Sequence, residues 1–532
     1  MVTVDKSVVL FLEAVNKIID NKKEKEDFMN WDFSEISKSF LKDDKGKLLV
    51  EGNFGLEKEC QRVLSSGDLA LTPHPPVFGD KTENPRITTD FSESQIEMIT
   101  TTFNSVEELY EELNTISLEV ESSIGNELLW PLSMPPKLPD EERIPIACFS
   151  DSENGKNMEI YRKGLALRYG KKMQMISGIH YNFSFGEGMI NYLYKKFGNK
   201  KDKRLFTDEI HFGLARNFLR YRWMLIYLFG ASPSCHPTYH SVINRELKII
   251  QKCRPNCADI IENFNQYAIS LRVSRFGYSN SLKNEKMYFN SLEEYSTKLR
   301  KMMSTKNEKY SKMGIYRNGS QIQLNENVLQ KENEFYSSIR LKQTLDEGES
   351  PLDALEKRGV KYVEVRILDL NPFEKLGLSI EQMNFLQVFM LFCLFEQSSP
   401  ITDDEYTLIN LNHQLVSLLG RKRDLILQKY DNKEISLRSW GKEIFKRLRT
   451  IADLMYEGTG DNKYHASVEE EHRKLRDMSL LPSERINMEM KENNENFLEF
   501  GTRWAKNNLQ SNAIMTNLHN NNILRAGYAN KL

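Results

Sequence analysis

Gly55-Leu56-Glu57-Lys58-Glu59-Cys60 holds two glutamates two positions apart, and Ile179-His180-Tyr181-Asn182-Phe183-Ser184 and Tyr362-Val363-Glu364-Val365-Arg366-Ile367 alternate polar with apolar residues. Gln321-Ile322-Gln323-Leu324-Asn325-Glu326-Asn327-Val328 repeats the pattern. A strand points alternate side chains to opposite faces, so each segment reads as a strand with one apolar face and one face of Glu, Arg, His, Asn or Gln. For any one of them the ordinary reading is an outer strand with a solvated face. Solvated faces, however, favour Lys, Thr and Ser, whereas this set is rich in groups that coordinate metals or fix ligands. Together the four predict an α+β fold: a curved, mainly antiparallel sheet whose polar face lines a cavity and whose apolar back carries helices.

Working outward, Ser379 followed by Gln382 is a capping-box pattern, and an apolar run follows it. The run from Met383 to Phe395 is too short for a bilayer and reads as a buried helix. Phe206 to Leu228 alternates Arg with aromatics and is expected to pack on the sheet; a nucleic-acid helix is the weaker reading. The segment from about Ser417 reads as charged amphipathic helices, with Glu469-Glu470-Glu471 and Arg473-Lys474 spaced to pair along one of them. Residues 1–50 are expected to be a peripheral helical extension, 51–416 the core, and 417–532 a helical region packed on that core as one unit.

The 532 residues carry 73 Lys+Arg against 75 Asp+Glu, a net charge of −2. That balance excludes a general nucleic-acid binder. Gly 27, Pro 16 and Cys 6 exclude collagen-like, disordered and disulfide-scaffold classes. No C-x-x-C pair and no secretory signal is visible, so a cytoplasmic protein with reduced thiols is expected. No glycine-rich phosphate loop or G-x-S-x-G elbow is present. His236 and His240 flank Pro237, which leaves a zinc site open but favours an ordinary loop. Carboxylates on strands stand out instead: Glu57, Glu59, Glu364, and Asp90 and Glu97 in Thr88 to Glu97. Such a cluster needs cations, and Mg²⁺ on carboxylates can hold ATP phosphates without a glycine loop. Arg366 shares a strand face with Glu364, where an arginine could neutralise a transferring phosphoryl group.

These residues carry a resemblance. Phe54 to Glu59, Ile87 to Phe91, Leu129 to Pro135, Ile176 to Ser184, Tyr227 to Pro233, Leu324 to Glu334, and Tyr362 to Arg366 continuing through Asp369-Leu370-Asn371-Pro372-Phe373 resemble, in order, the bacterial-type glutamate–cysteine ligases (γ-glutamylcysteine synthetases). The resemblance covers about Gly52 to Phe373 and weakens toward Gly501. It implies a glutamine-synthetase-like funnel of antiparallel strands surrounded by helices. It also implies the reaction of ATP, L-glutamate and L-cysteine to γ-glutamylcysteine, ADP and phosphate through a γ-glutamyl phosphate, the first step of glutathione synthesis.

By matching position, Glu57, Glu59, Asp90, Glu97, His180 and Glu364 would form the Mg²⁺ shell, with Mn²⁺ as an alternate. Arg366 and Glu364 would be catalytic, with Arg366 on the phosphoryl group. Arg366 and Asn333 would bind the nucleotide, and Gln330 is a further polar lining candidate with no assigned role. Arg272 would hold the glutamate α-carboxylate, and Tyr161, Tyr278, Tyr336 and Phe91 would form the cysteine pocket. The expected protein is a monomer acting on small molecules, with no membrane or nucleic-acid partner. It is expected to make the dipeptide only, since 532 residues leave no room for an added ATP-grasp domain. Lys58 and Cys60 stand where the family commonly has Arg and Thr; Arg275 replaces an acidic residue and Ser338 a proline. The last two flank the implied cysteine pocket, which leaves another amine acceptor open. A catalytically silent homologue is the remaining alternative, and the intact set of carboxylates with Arg366 weighs against it.

Overall fold

The computed structural model describes residues 31–253, 258–277, 285–431 and 433–510. Nine strands concern the site: β1 Gly52–Val63, β2 Ile87–Thr89, β3 Gln95–Ile99, β4 Leu128–Leu129, β5 Ile179–Phe185, β6 Tyr316–Arg317, β7 Ser320–Gln321, β8 Ile339–Lys342 and β9 Tyr362–Leu368. A seven-stranded sheet runs β2-β3-β1-β5-β9-β8, with β4 also pairing β1. Every pairing in it is antiparallel. It is an open sheet edged by β2 and β8, with helices around it. Alternation sorts its faces: Leu56, Ile96, Met98, Ile179, Tyr181, Phe183, Val363 and Val365 are buried on one side, while Glu57, His180, Asn182, Glu364 and Arg366 share the other.

Helices cover the apolar face. We label α1 Phe33–Lys42, α2 Val106–Ser123, α3 Glu153–Tyr169, α4 Lys203–Phe229, α5 Ile380–Phe395, α6 Asp403–Leu419, α7 Leu437–Thr459 and α8 Lys463–Arg476. α2 packs on β1 and β3, and α4 on β8 and β9. α4 therefore meets the expectation of a helix on the sheet. Its arginines serve packing: Arg216 donates to the carbonyls of Phe289 (2.9 Å) and Ser398 (3.1 Å), and Arg220 pairs with Glu405 at 2.6 Å. α5 opens with the capping box of Ser379 and Gln382 and is buried nearly all round. No described helix is long and apolar enough to cross a membrane. On α8, Lys474 pairs with Glu471 and Arg473 with Glu470, each at 2.8 Å.

Two expectations change. α1 is not peripheral: Ile36 and Phe40 are fully buried, and the Trp31 indole donates to the Leu394 carbonyl at 3.1 Å. Residues 321–328 are not a sheet strand. Ser320–Gln321 pairs in an exposed two-residue ladder with β6, and Asn327 makes an isolated bridge with Lys306. The polar residues beyond it satisfy local backbone instead: Gln323 Nε2 donates to the Tyr310 (3.0 Å) and Gly314 (2.9 Å) carbonyls, and Asn325 Oδ1 accepts from the Asn327 amide at 3.0 Å. Such side-chain-to-backbone bonds compete with ladder formation. α6 runs through residues 416 and 417, so the expected start of the C-terminal region falls inside a helix.

Candidate active site

Register brings the ionisable residues together. Glu57 stands opposite His180 across β1 and β5, Glu59 opposite Glu97 across β1 and β3, and Glu364 opposite both Asn182 and Arg340. A register shift between Ile179 and Tyr181 in the β5–β9 pair accompanies the approach of Arg366 to His180. The His180 Nδ1 lies 2.9 Å from Glu57 Oε2 and 3.6 Å from Glu364 Oε1, and its Nε2 lies 3.5 Å from Glu59 Oε1. Asn182 donates to Glu57 Oε1 at 3.0 Å. The Gly178 amide donates to Glu59 Oε2 at 3.0 Å. Arg366 pairs with Glu364 through Nη1, which also lies 3.4 Å from His180 Nδ1. Lys342 Nζ lies 3.1 Å from Glu364 Oε2.

The electrostatics split these carboxyls. Burial raises the Glu59 carboxyl, and the His180 and arginine charges only partly offset it. Burial together with the charges of Asp90, Glu57 and Glu59 holds Glu97 well above the ordinary carboxylate range. For Glu364, burial is overcome by Arg366, Lys342 and Arg340, which hold it well below that range. Glu57 is also lowered, because the His180 contact outweighs burial and the charge of Glu364. One half of the face is thus cation-compensated and the other half is a set of buried, mutually repelling carboxyls. Among the described residues, Glu57, His180 and Glu364 each offer a ligand atom within 4.8 Å of one another. The two carboxylates are donors that suit Mg²⁺ or Mn²⁺, while the imidazole is a donor more at home with transition metals. Asp90 follows β2 and faces Glu97, with its carbonyl and that of Thr89 held by the Arg162 guanidinium.

Arg272 is 1% exposed. Its Nη2 donates to the Arg366 carbonyl at 3.1 Å, and its Nη1 lies 3.7 Å from Asp369 Oδ1. The Nε and Nη1 groups make no hydrogen bond among the described residues. A Cβ at Gly178 would sit 1.8 Å from the Arg272 guanidinium, so only glycine leaves room for it. Tyr161 lies on α3, its carbonyl accepting from Gln330 at 3.3 Å, and Lys331 sits 5.9 Å over its ring. Phe91 is buried beside Asp90, and Tyr336 precedes β8. Tyr278 lies outside the described residues. Asn333 is exposed, and its carbonyl accepts from Arg340 at 2.7 Å.

Sequence reasoning passed over four residues of this face. Arg340 and Lys342 alternate with Ile339 and Leu341 in β8, the same signal as in the other strands, but over only four residues. Asn182 was visible in the β5 alternation without a role. Asp369 was quoted in a motif without one; it is fully buried, and its Oδ2 accepts from the Ala231 amide (2.9 Å) and Ser232 Oγ (2.7 Å).

Comparison with known proteins follows the same line. A family model described as glutamate–cysteine ligase matches residues 38–416. A glutamate–cysteine ligase of Clostridium acetobutylicum is 59% identical over 480 residues, 90% of this chain and 100% of that one. One from Pseudomonas putida is 39% identical over 460 residues, 86% of each chain. The crystal structure of glutamate–cysteine ligase from Francisella tularensis in complex with AMP matches with a TM-score of 0.78 at 34% identity, covering 87% of this chain and 89% of that one. A bifunctional glutathione synthetase from Pasteurella multocida matches with a TM-score of 0.70 at 28% identity, over 90% of this chain and 55% of that one. With a full-length relative at 59% identity and the carboxylate-and-arginine face in place, the chain belongs to the glutamate–cysteine ligase family.

Proposed function

We propose that this protein joins L-glutamate to the amine of L-cysteine at the expense of ATP, giving γ-glutamylcysteine, ADP and phosphate, the first step of glutathione synthesis. The observation that carries the reading is the single sheet face on which Glu57, Glu59, Glu97, His180, Glu364 and Arg366 converge. In this reading Glu57, Glu59, Asp90, Glu97, His180 and Glu364 hold Mg²⁺. A cation held there would supply positive charge for the ATP phosphates.

The chain's own groups supply the rest. Arg366, held in the site by Glu364, offers its guanidinium to the phosphoryl group as it passes to the glutamate γ-carboxylate. That transfer converts a poor electrophile into an acyl phosphate. Two Arg272 nitrogens, Nε and Nη1, have no hydrogen-bond partner among the described residues, and the guanidinium takes the glutamate α-carboxylate in the bidentate manner arginine favours. Its tie to the Arg366 carbonyl couples glutamate position to the phosphoryl site. Tyr161, Tyr278, Tyr336 and Phe91 form the pocket for cysteine, whose amine displaces phosphate. Asn333 lines the nucleotide side. The protein works as a cytoplasmic monomer.

The test measures ADP release with Mg²⁺, ATP and L-glutamate, with and without L-cysteine, alongside mass detection of the dipeptide. Cysteine-dependent ADP release equal to dipeptide formed is the expected result. Glutamate-dependent release that ignores cysteine, or prefers 2-aminobutyrate, would transfer the activity to another acceptor. No glutamate-dependent release would sink the reading.

A further inference from the structure

Arg168 lies on α3 about two turns beyond Tyr161. Its guanidinium and the Glu334 carboxylate form a buried pair, their side chains 0% and 1% exposed. Arg168 Nη1 donates to Glu334 Oε1 at 2.9 Å and to Oε2 at 3.2 Å. The Tyr169 hydroxyl donates to Oε1 at 2.8 Å, and the Gln330 backbone amide donates to Oε2 at 2.5 Å. The other nitrogens of Arg168 reach the same segment from the far side. Nε and Nη2 donate to Gln323 Oε1 at 3.1 and 2.9 Å, and Nη2 donates to the Asn325 carbonyl at 2.8 Å.

A second contact closes this interface. Gln330 Nε2 donates to the Tyr161 carbonyl at 3.3 Å. A Cβ on Gly164 would lie 2.0 Å from Gln330 Oε1, so α3 carries a glycine where the segment comes closest. α3 also carries Arg162, whose guanidinium holds the Thr89 and Asp90 carbonyls. Glu334 itself follows Asn333 directly and precedes Tyr336 by two positions. Arg272 is held elsewhere, by the Arg366 carbonyl and by Asp369. A buried ion pair adds little net stability over an apolar pair of similar volume, because desolvation offsets the attraction. What a fully bonded polar network does impose is one geometry between the elements it joins.

We propose that Arg168 and Glu334 are positioning residues that lock residues 323–336 onto α3, so that one buried pair sets the cysteine pocket and the nucleotide side together. The inference rests on the proposed function, which puts Tyr161 and Tyr336 at cysteine and Asn333 at the nucleotide. Both side chains are sealed from solvent, so they act through those three residues and not on substrate. The glutamate site, built on Arg272, does not depend on them.

Steady-state kinetics with ATP, L-glutamate and L-cysteine each varied test this. Glu334→Gln keeps an acceptor oxygen for the Tyr169 hydroxyl and removes the charge. KM for cysteine and for ATP should each rise about fivefold or more, with KM for glutamate within about twofold of the parent. An equal rise in all three constants, or a rise in none, would overturn the proposal. The double variant Arg168→Gln/Glu334→Gln leaves no unpaired buried charge. It should melt closer to the parent than Glu334→Gln does while KM for cysteine and ATP stay raised. KM values that return with the melting temperature would show a purely structural pair and overturn the assignment. If Glu334→Gln fails to fold, the double variant carries the same comparison against the parent. A parent without glutamate-dependent ADP release would sink the proposed function and this inference with it, whereas an active parent with unsplit constants would sink this inference alone.

Discussion

Arg366 and Arg272 are joined by one hydrogen bond, yet the proposed function gives them different work. Arg366 is compensated by Glu364 and faces the carboxylates; under the proposed function its replacement removes positive charge where phosphoryl transfer would develop negative charge. Arg366→Ala should lower kcat by about 10³-fold or more while far-UV circular dichroism and the melting transition stay near those of the parent. Turnover within tenfold of the parent would refute the assignment. Asp369 acts through Arg272. Its Oδ2 is fixed by Ala231 and Ser232, which leaves Oδ1 to face the guanidinium. Asp369→Asn keeps those two acceptor contacts but removes the charge. A charge-assisted contact contributes about 1.5–3 kcal/mol, so KM for glutamate should rise about tenfold or more, with KM for ATP unchanged. A merely structural role would move both constants together, and steady-state kinetics with each substrate varied would show it.

At the scale of elements, β1, β5 and β9 are legible from alternation, because each sets polar or ionisable residues on one face and core residues on the other. The same rule misled at residues 321–328, where the polar side chains turn back on their own loop, and it was too weak over the four residues of β8. Asp369 was unreadable for a different reason: its partners Ala231, Ser232 and Arg272 arrive from distant parts of the chain. α6 adds an element-scale prediction. His413 on this helix is buried and places its Nε2 2.7 Å from the Val273 carbonyl, tying the helix to the Arg272 segment. Burial, with the charge of Arg222, lowers its pKa to about 3. The unfolded chain binds this proton near pH 6.5. The folded state's advantage is therefore intact above pH 6.5 and is lost as pH falls toward 3. By pH 5 the loss is about 2 kcal/mol from this residue. His413→Gln can still donate to Val273 without titrating. Urea unfolding at pH 7.5 and pH 5 should show the variant's stability changing less between the two, by about that amount; an equal change in both proteins would reject it.

Over the whole molecule, an apolar-backed sheet buttressed by α2, α4 and α5 holds a front face that opposes folding. The strand order β2-β3-β1-β5-β9-β8 joins residue 57 to residue 180 and residue 182 to residue 364. No local pattern specifies those pairings; the family resemblance implied only that Glu57, His180 and Glu364 share a site. The outcome is a set of acidic groups forced together by a core indifferent to them. Glu59 and Glu97 are raised by burial and by like charge, which marks them as groups the fold would be more stable without. Functional sites commonly carry such a cost. Glu59→Gln keeps an oxygen for the Gly178 amide and removes one of the repelling charges. In a chelator at pH 7.5 it should therefore unfold at a higher temperature than the parent, a gain of about 1 kcal/mol. Mg²⁺ should raise the parent's melting temperature by binding the folded state alone. The variant should lose most of that rise together with dipeptide formation. Were Glu59→Gln less stable in chelator and still as responsive to Mg²⁺, Glu59 would be a structural strand residue and the metal would rest on Glu57, His180 and Glu364 alone.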